Sequence, residues 1–131
     1  MGQQQLLLII LGVIVVGIAV AVGITMFSDS ATSANRDAIV NDLTNFASRA
    51  QQFYRRPLAL GGGQGSFSTL TSISKITKDS SNANGMYTMG SPSATSVTIT
   101  GTSISERGTD GNALKVVMTV WADSAKVTTS N

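Results

Sequence analysis

The sequence contains no cysteine and no histidine. Without cysteine, no disulfide supports the fold and thiolate metal sites are excluded. Without histidine, the commonest general base and the commonest metal ligand are both missing. No nucleophile has a visible base and no carboxylate pair stands out. No catalytic, cofactor-binding or metal-binding residue is assigned, and the chain is not expected to be an enzyme. Charge is sparse as well. Charged residues make up 12% of the chain, with nine Lys or Arg against seven Asp or Glu and a net charge of +2. The pI of about 9.3 therefore reflects few charges and not a basic patch. Only Arg55 and Arg56 are adjacent cations, whereas phosphate binding needs several in a cluster. No nucleic-acid partner is indicated. No Asn-x-Ser/Thr sequon occurs, so that form of glycosylation is not indicated.

What the sequence does have is one long apolar run. Residues 6–27 read LLLIILGVIVVGIAVAVGITMF, with Thr25 the only polar side chain, and no charge occurs before Asp29. About 20 apolar residues at about 1.5 Å each span a hydrocarbon core of roughly 30 Å. A lone span in lipid must be helical, because every backbone donor and acceptor needs an internal partner. The run is too long for the core of a cleaved secretory signal, nothing upstream of it is charged, and Ala31 to Ala34 makes a poor cleavage site. A single-pass anchor and a filament-core helix remain. Gly12, Gly17, Ala19, Ala21 and Gly23 are small residues of the kind that let apolar helices approach closely.

No proline or glycine occurs from Ile24 to Arg56, so the helix is expected to run on unbroken past Asp29. Beyond the apolar run, Ile39, Leu43, Phe46, Ala47, Ala50, Phe53 and Tyr54 recur at helical spacing on one side, with Asn, Asp, Arg and Gln on the other. Arg36, Arg49, Arg55 and Arg56 read as a solvated face. Pro57 stops the helix near Arg56. An inner half that is apolar all round, followed by an outer half with one apolar stripe, suits a helix surrounded first by membrane or copies and then covered by one domain.

This pattern resembles the type IV pilins and pseudopilins. Gln5 followed by Leu6, Leu7, Leu8, Ile9, Ile10, Leu11 and Gly12 is similar to that family's single polar residue ahead of a long apolar segment. The family's usual residue there is Glu, at the fifth position of the mature chain. With Met1 as the first mature residue, Gln5 takes that place without the charge; cleavage after Gly2 would put Leu7 there instead. The resemblance covers about residues 1–57. It implies a filament core built from Gln5 through Gly12 together with Val13, Ile14, Val15, Val16, Gly17, Ile18, Ala19, Val20, Ala21, Val22, Gly23 and Ile24. It further implies a helical homopolymer of identical subunits as partners, residence in the inner membrane before assembly, an extracellular filament afterwards, and handling by a prepilin peptidase and pilus-assembly machinery. A pseudopilin of a secretion or DNA-uptake machine, and a membrane-anchored exported binding domain, are the alternatives.

The remaining residues, 57–131, are rich in Ser and Thr. The segment Gly61-Gly62-Gly63-Gln64-Gly65 reads as a flexible linker or wide turn; the Gly-Lys-Ser/Thr of a phosphate-binding loop is missing. Phe67, Leu70, Ile73 and Ile76 recur every three residues, which predicts a short helix over 68–75, with an irregular strand as the alternative. The segment from Asp79 to Gly85 reads as a turn, since the alternate acidic ligands and closing Glu of a calcium loop are missing. Strands are expected at 86–89, at 96–104 with Val97 and Ile99 on one face and a bulge at Gly101, at 114–121 with Leu114, Val116, Met118 and Val120 facing the core, and at 126–129. Asp110-Gly111 is a hairpin signal. Trp121 falls on the second face, at the core edge or against a neighbouring subunit.

The expected fold is α+β. A long N-terminal helix carries an apolar half (1–27) and an amphipathic half (28–56), packed under a small three- or four-stranded antiparallel head (57–131). Ile39, Leu43, Phe46, Ala50 and Phe53 are the expected helix-to-head contacts.

Overall fold

The computed structural model describes residues 2–131, and for 129 and 130 the backbone alone. Met1, at which the expected apolar segment begins, lies outside the described residues. A single helix, α1, runs over Gly2–Arg55, 54 residues and about 80 Å in length. Four strands follow: β1 (Gly85–Gly90), β2 (Ser96–Arg107), β3 (Ala113–Trp121) and β4 (Ala125–Ser130). They form one antiparallel sheet in the order β1-β2-β3-β4, a meander. The layout is α+β and pilin-like in shape.

Sheet and helix each have one apolar side, and each buries the other's. Ile39, Leu43, Phe46, Ala47, Ala50 and Phe53 come from α1. Strict alternation in β2 and β3 turns Val97, Ile99, Leu114, Val116, Met118 and Val120 toward them. Tyr87 joins from β1, and Phe67, Leu70 and Ile73 from the segment between helix and sheet. Each large side chain taken from water here contributes about 1.5–3 kcal/mol.

Several local expectations are corrected. Residues 68–75 do not form a helix; only Ile73–Lys75 makes a 3-10 turn, with Ser72 Oγ accepting from the Ser74 N–H. Phe67, Leu70 and Ile73 are buried, so the period of three reflects repeated dips of an irregular chain into the core. The bulge is not at Gly101, which pairs regularly with Tyr87 and Val116. The β2–β3 register shifts instead between Thr102 and Arg107, where buried Ser103 accepts the Glu106 N–H at 2.9 Å. Strand β2 also runs past Ile104 to Arg107.

The glycine segment after Pro57 is a helix cap and not a flexible linker. A helix leaves its last carbonyls without partners. Here Gly63 N–H donates to Phe53 O at 2.8 Å, Gly65 N–H to Tyr54 O at 2.7 Å and Gln64 N–H to Arg56 O at 3.0 Å. Gly62 and Gly63 are buried, which places the chain where Phe67 packs against Tyr54, ring centroids 4.8 Å apart and planes tilted by 38°.

Candidate assembly surface

The sheet covers only part of α1. Every described residue up to Ser30 is exposed, and burial begins at Ala31. The uncovered arm is the apolar one. Leu6 is 60% exposed, Val16 62% and Phe27 78%. Gln3, Gln4 and Gln5 stand exposed at its start. The arm's one hydroxyl, Thr25 Oγ1, donates to Ala21 O at 3.0 Å, so no side-chain polar group between Leu6 and Phe27 is left seeking a partner. Nothing lies within 4 Å of a β-carbon built at Gly12, Gly17 or Gly23. All the expected core-forming residues, Gln5 through Ile24, thus lie together on one exposed helical rod. This helix is long and apolar enough to cross a membrane. An uncharged, internally hydrogen-bonded rod of this kind is stable only where lipid or other apolar surface replaces water.

Ile39, Leu43, Phe46, Ala50 and Phe53, the expected helix-to-head contacts, are all buried against the sheet. Polar bonds fasten the same half of the helix. Arg36 Nη2 donates to Asn131 O at 2.7 Å, Asn35 Nδ2 to Asn84 O at 3.1 Å and Thr32 Oγ1 to Glu106 Oε2 at 3.4 Å. Farther along, Gln51 Nε2 donates to Trp121 O at 3.1 Å and Arg49 Nη1 to Ile76 O at 3.3 Å. The arginines of α1 are therefore not simply a solvated face: Arg36, Arg49 and Arg55 each reach a head carbonyl. Trp121 is half-buried at the end of β3.

One polar constellation had no signal in the sequence. Asp42, on the flank of α1 facing β1, accepts at Oδ2 from Tyr87 Oη at 2.5 Å, Asn82 Nδ2 at 2.8 Å and Asn84 Nδ2 at 3.0 Å. Partial burial works to raise the Asp42 pKa, but the three donors outweigh it and hold the carboxyl below the usual carboxylate range. Burial and the adjacent carboxylate push the Tyr87 phenol up. The expected turn at 79–85 is thereby tied to the helix. The partners are amides and a phenol, groups that fix position and supply no acid or base near neutral pH. Among the described residues, no group of three Asp, Glu, His or Cys side chains could hold a metal ion.

The geometry joins a rigid β head to an unpartnered apolar rod, an arrangement suited to insertion and packing. Comparison of the chain with protein-family models, with curated proteins and with solved structures gives no match.

Proposed function

We propose that this chain is a structural subunit of a type IV pilus-like filament. The observation that carries the reading is α1 itself. One unbroken helix is exposed and uncharged over its first half and covered on one face by a β-sheet over its second. A plain anchor does not require the span to continue as the central rod of the exported domain. In a filament the same continuity sets the head at a fixed distance and orientation from the axis.

On this reading the arm waits in the membrane. It then exchanges lipid for the arms of other copies, and residues 6–27 of many subunits form a dry core inside a Ser/Thr-rich shell of heads. Gln5 offers a neighbour a neutral hydrogen bond and no charge. The role is structural and not catalytic, the partners are identical subunits, and the assembled form lies outside the cell. A pseudopilin would use the same arm in a short, machine-bound fibre.

Electron cryo-microscopy of sheared surface material tests the reading. A fibre into which this sequence traces, with residues 6–27 at its centre, is the expected result, and the first traced residue would define processing. Recovery of the chain only as a monomer in the membrane fraction would overturn it in favour of an anchored domain.

A further inference from the structure

We infer that Asp37 of one subunit pairs with Arg55 of another, and that this ion pair fixes the axial offset between neighbouring copies. The inference rests on the filament reading. In a fibre with arms at the axis and heads outside, the side of α1 opposite the head turns inward, toward other copies. At about 100° per residue, that side is the one opposite Ile39, Leu43 and Phe46. Its backbone positions include Asp37 and Arg55, both exposed, on nearly the same azimuth, about five turns and about 27 Å apart; Arg55 stands at the helix end, where one of its N–H groups bends round to the head at Ala122 O. Between them the face presents uncharged side chains, Asn41, Thr44, Ser48 and Gln52 among them, all exposed.

Neither charge has an answer within its own helix. The residues three and four positions from Asp37 are Ser33, Ala34, Val40 and Asn41, and those before Arg55 are Gln51 and Gln52; none is charged. The Arg55 guanidinium makes one 3.5 Å bond to the Ala122 carbonyl, beside Asp123 in the β3–β4 turn. A carboxylate moved from water to a packed interior is costly unless it is paired. Two opposite charges on one face, too far apart to meet within a subunit, satisfy each other when a second copy is displaced by that same distance. The offset fits the arm. Residues 6–27 span about 33 Å, so copies offset by about 27 Å still overlap along their apolar segments. Such a contact joins different patches of the same molecule and therefore propagates as an open polymer.

The test uses charge reversal in the full-length chain. Asp37→Arg and Arg55→Asp should each lower sedimentable fibre by about tenfold or more, and the double variant should recover to within about threefold of wild type. Unchanged thermal unfolding of the detergent-held subunits would show that these exposed positions leave the fold intact. The cysteine-free background allows a second measurement. A chain that keeps both charges and carries Ala34→Cys and Gln52→Cys, exposed positions beside them with the same spacing along α1, should give a ladder of intermolecular disulfides on oxidation in fibres and none in detergent, since about 27 Å forbids an internal bridge. Wild-type fibres, together with charge-reversal variants that assemble normally and a double-cysteine chain that gives no ladder, would overturn this inference alone. A wild-type chain that never forms fibres would overturn the filament reading and this inference with it.

Discussion

Gly101 lies directly under Ile39: a β-carbon built at Gly101 would come within 2.5 Å of Ile39 Cγ2 and 3.0 Å of Tyr87 Cε1. The missing side chain lets α1 settle onto the centre of the sheet. It also lets the Tyr87 ring lie across the gap, edge-on to Phe46 with centroids 4.8 Å apart and planes at 71°. From there the phenol reaches Asp42.

Gly101→Ala should therefore destabilise the head, although the position is in ordinary strand pairing. Cγ2 of a β-branched residue is stiff and cannot swing aside. Overpacking of this kind costs about 1–3 kcal/mol. Thermal or denaturant unfolding of the detergent-solubilised chain measures it. A wild-type midpoint would show that helix and sheet are less closely seated than described.

The helix cap makes a second prediction. A β-carbon at Gly63 would run into the Ser66 carbonyl and lie 3.1 Å from Phe53 Cε1. Gly63→Ala should displace the Gly63 and Gly65 N–H donors, leaving Phe53 O with only the Arg56 N–H at 3.2 Å and Tyr54 O without its cap donor, at about 1–3 kcal/mol for a carbonyl left unpaired where buried. Amide hydrogen exchange should show faster exchange over 50–56 and at Gly63 and Gly65, with the apolar arm unchanged.

The Asp42 cluster predicts acid sensitivity. Because the folded-state pKa is depressed, the carboxylate contributes stability above the ordinary carboxylate range, and that contribution is lost as pH falls through the folded value. The wild-type unfolding midpoint should fall between about pH 6 and about pH 2, and Asp42→Asn should shallow that slope. Tyr87→Phe removes a donor to a charged acceptor and should cost about 1.5–3 kcal/mol at neutral pH. An acid slope identical in wild type and Asp42→Asn would rule the cluster out as its source.

The sequence made some features legible because their cause is local. The extent of α1 follows from an apolar run, an uninterrupted stretch to Arg56 and Pro57 after it. Alternation alone placed Val97, Ile99, Leu114, Val116, Met118 and Val120 on one face of the sheet. Features that depend on distant partners were not legible. Asp42 meets Asn82, Asn84 and Tyr87, 40 to 45 positions away, and nothing around Asp42 announces them. The Gly61–Gly65 stretch reads equally as a linker or a wide turn, because glycine marks both flexible chain and close backbone approach; only the carbonyls it meets decide for the turn. The arginines looked solvated for a related reason. Their acceptors are head carbonyls, which have no signature in sequence. Gly101 signalled an irregular backbone when its cause was the side chain packed above it.

The arm makes the prediction on which the proposed function depends. Val16 sits near the middle of the apolar run and is 62% exposed in the subunit, so a substitution there leaves the head's packing untouched. Val16→Asp places a carboxylate where neither lipid nor neighbouring arms offer a partner, at about 2.5–3.5 kcal/mol or more near the centre of a span. Fibre recovery should fall below about a tenth of wild type, since about 1.4 kcal/mol already corresponds to tenfold. Gln5→Leu removes one neutral hydrogen-bonding group at the arm's start and should lower assembly only modestly. Counting fibres by negative-stain microscopy, with the detergent-extracted subunit as a control for expression, compares the two. Abundant Val16→Asp fibres would mean that the apolar run is not the core of the assembly. Loss of fibres in Gln5→Leu as complete as in Val16→Asp would mean that the contact at the arm's start, and not burial along its length, governs polymerisation.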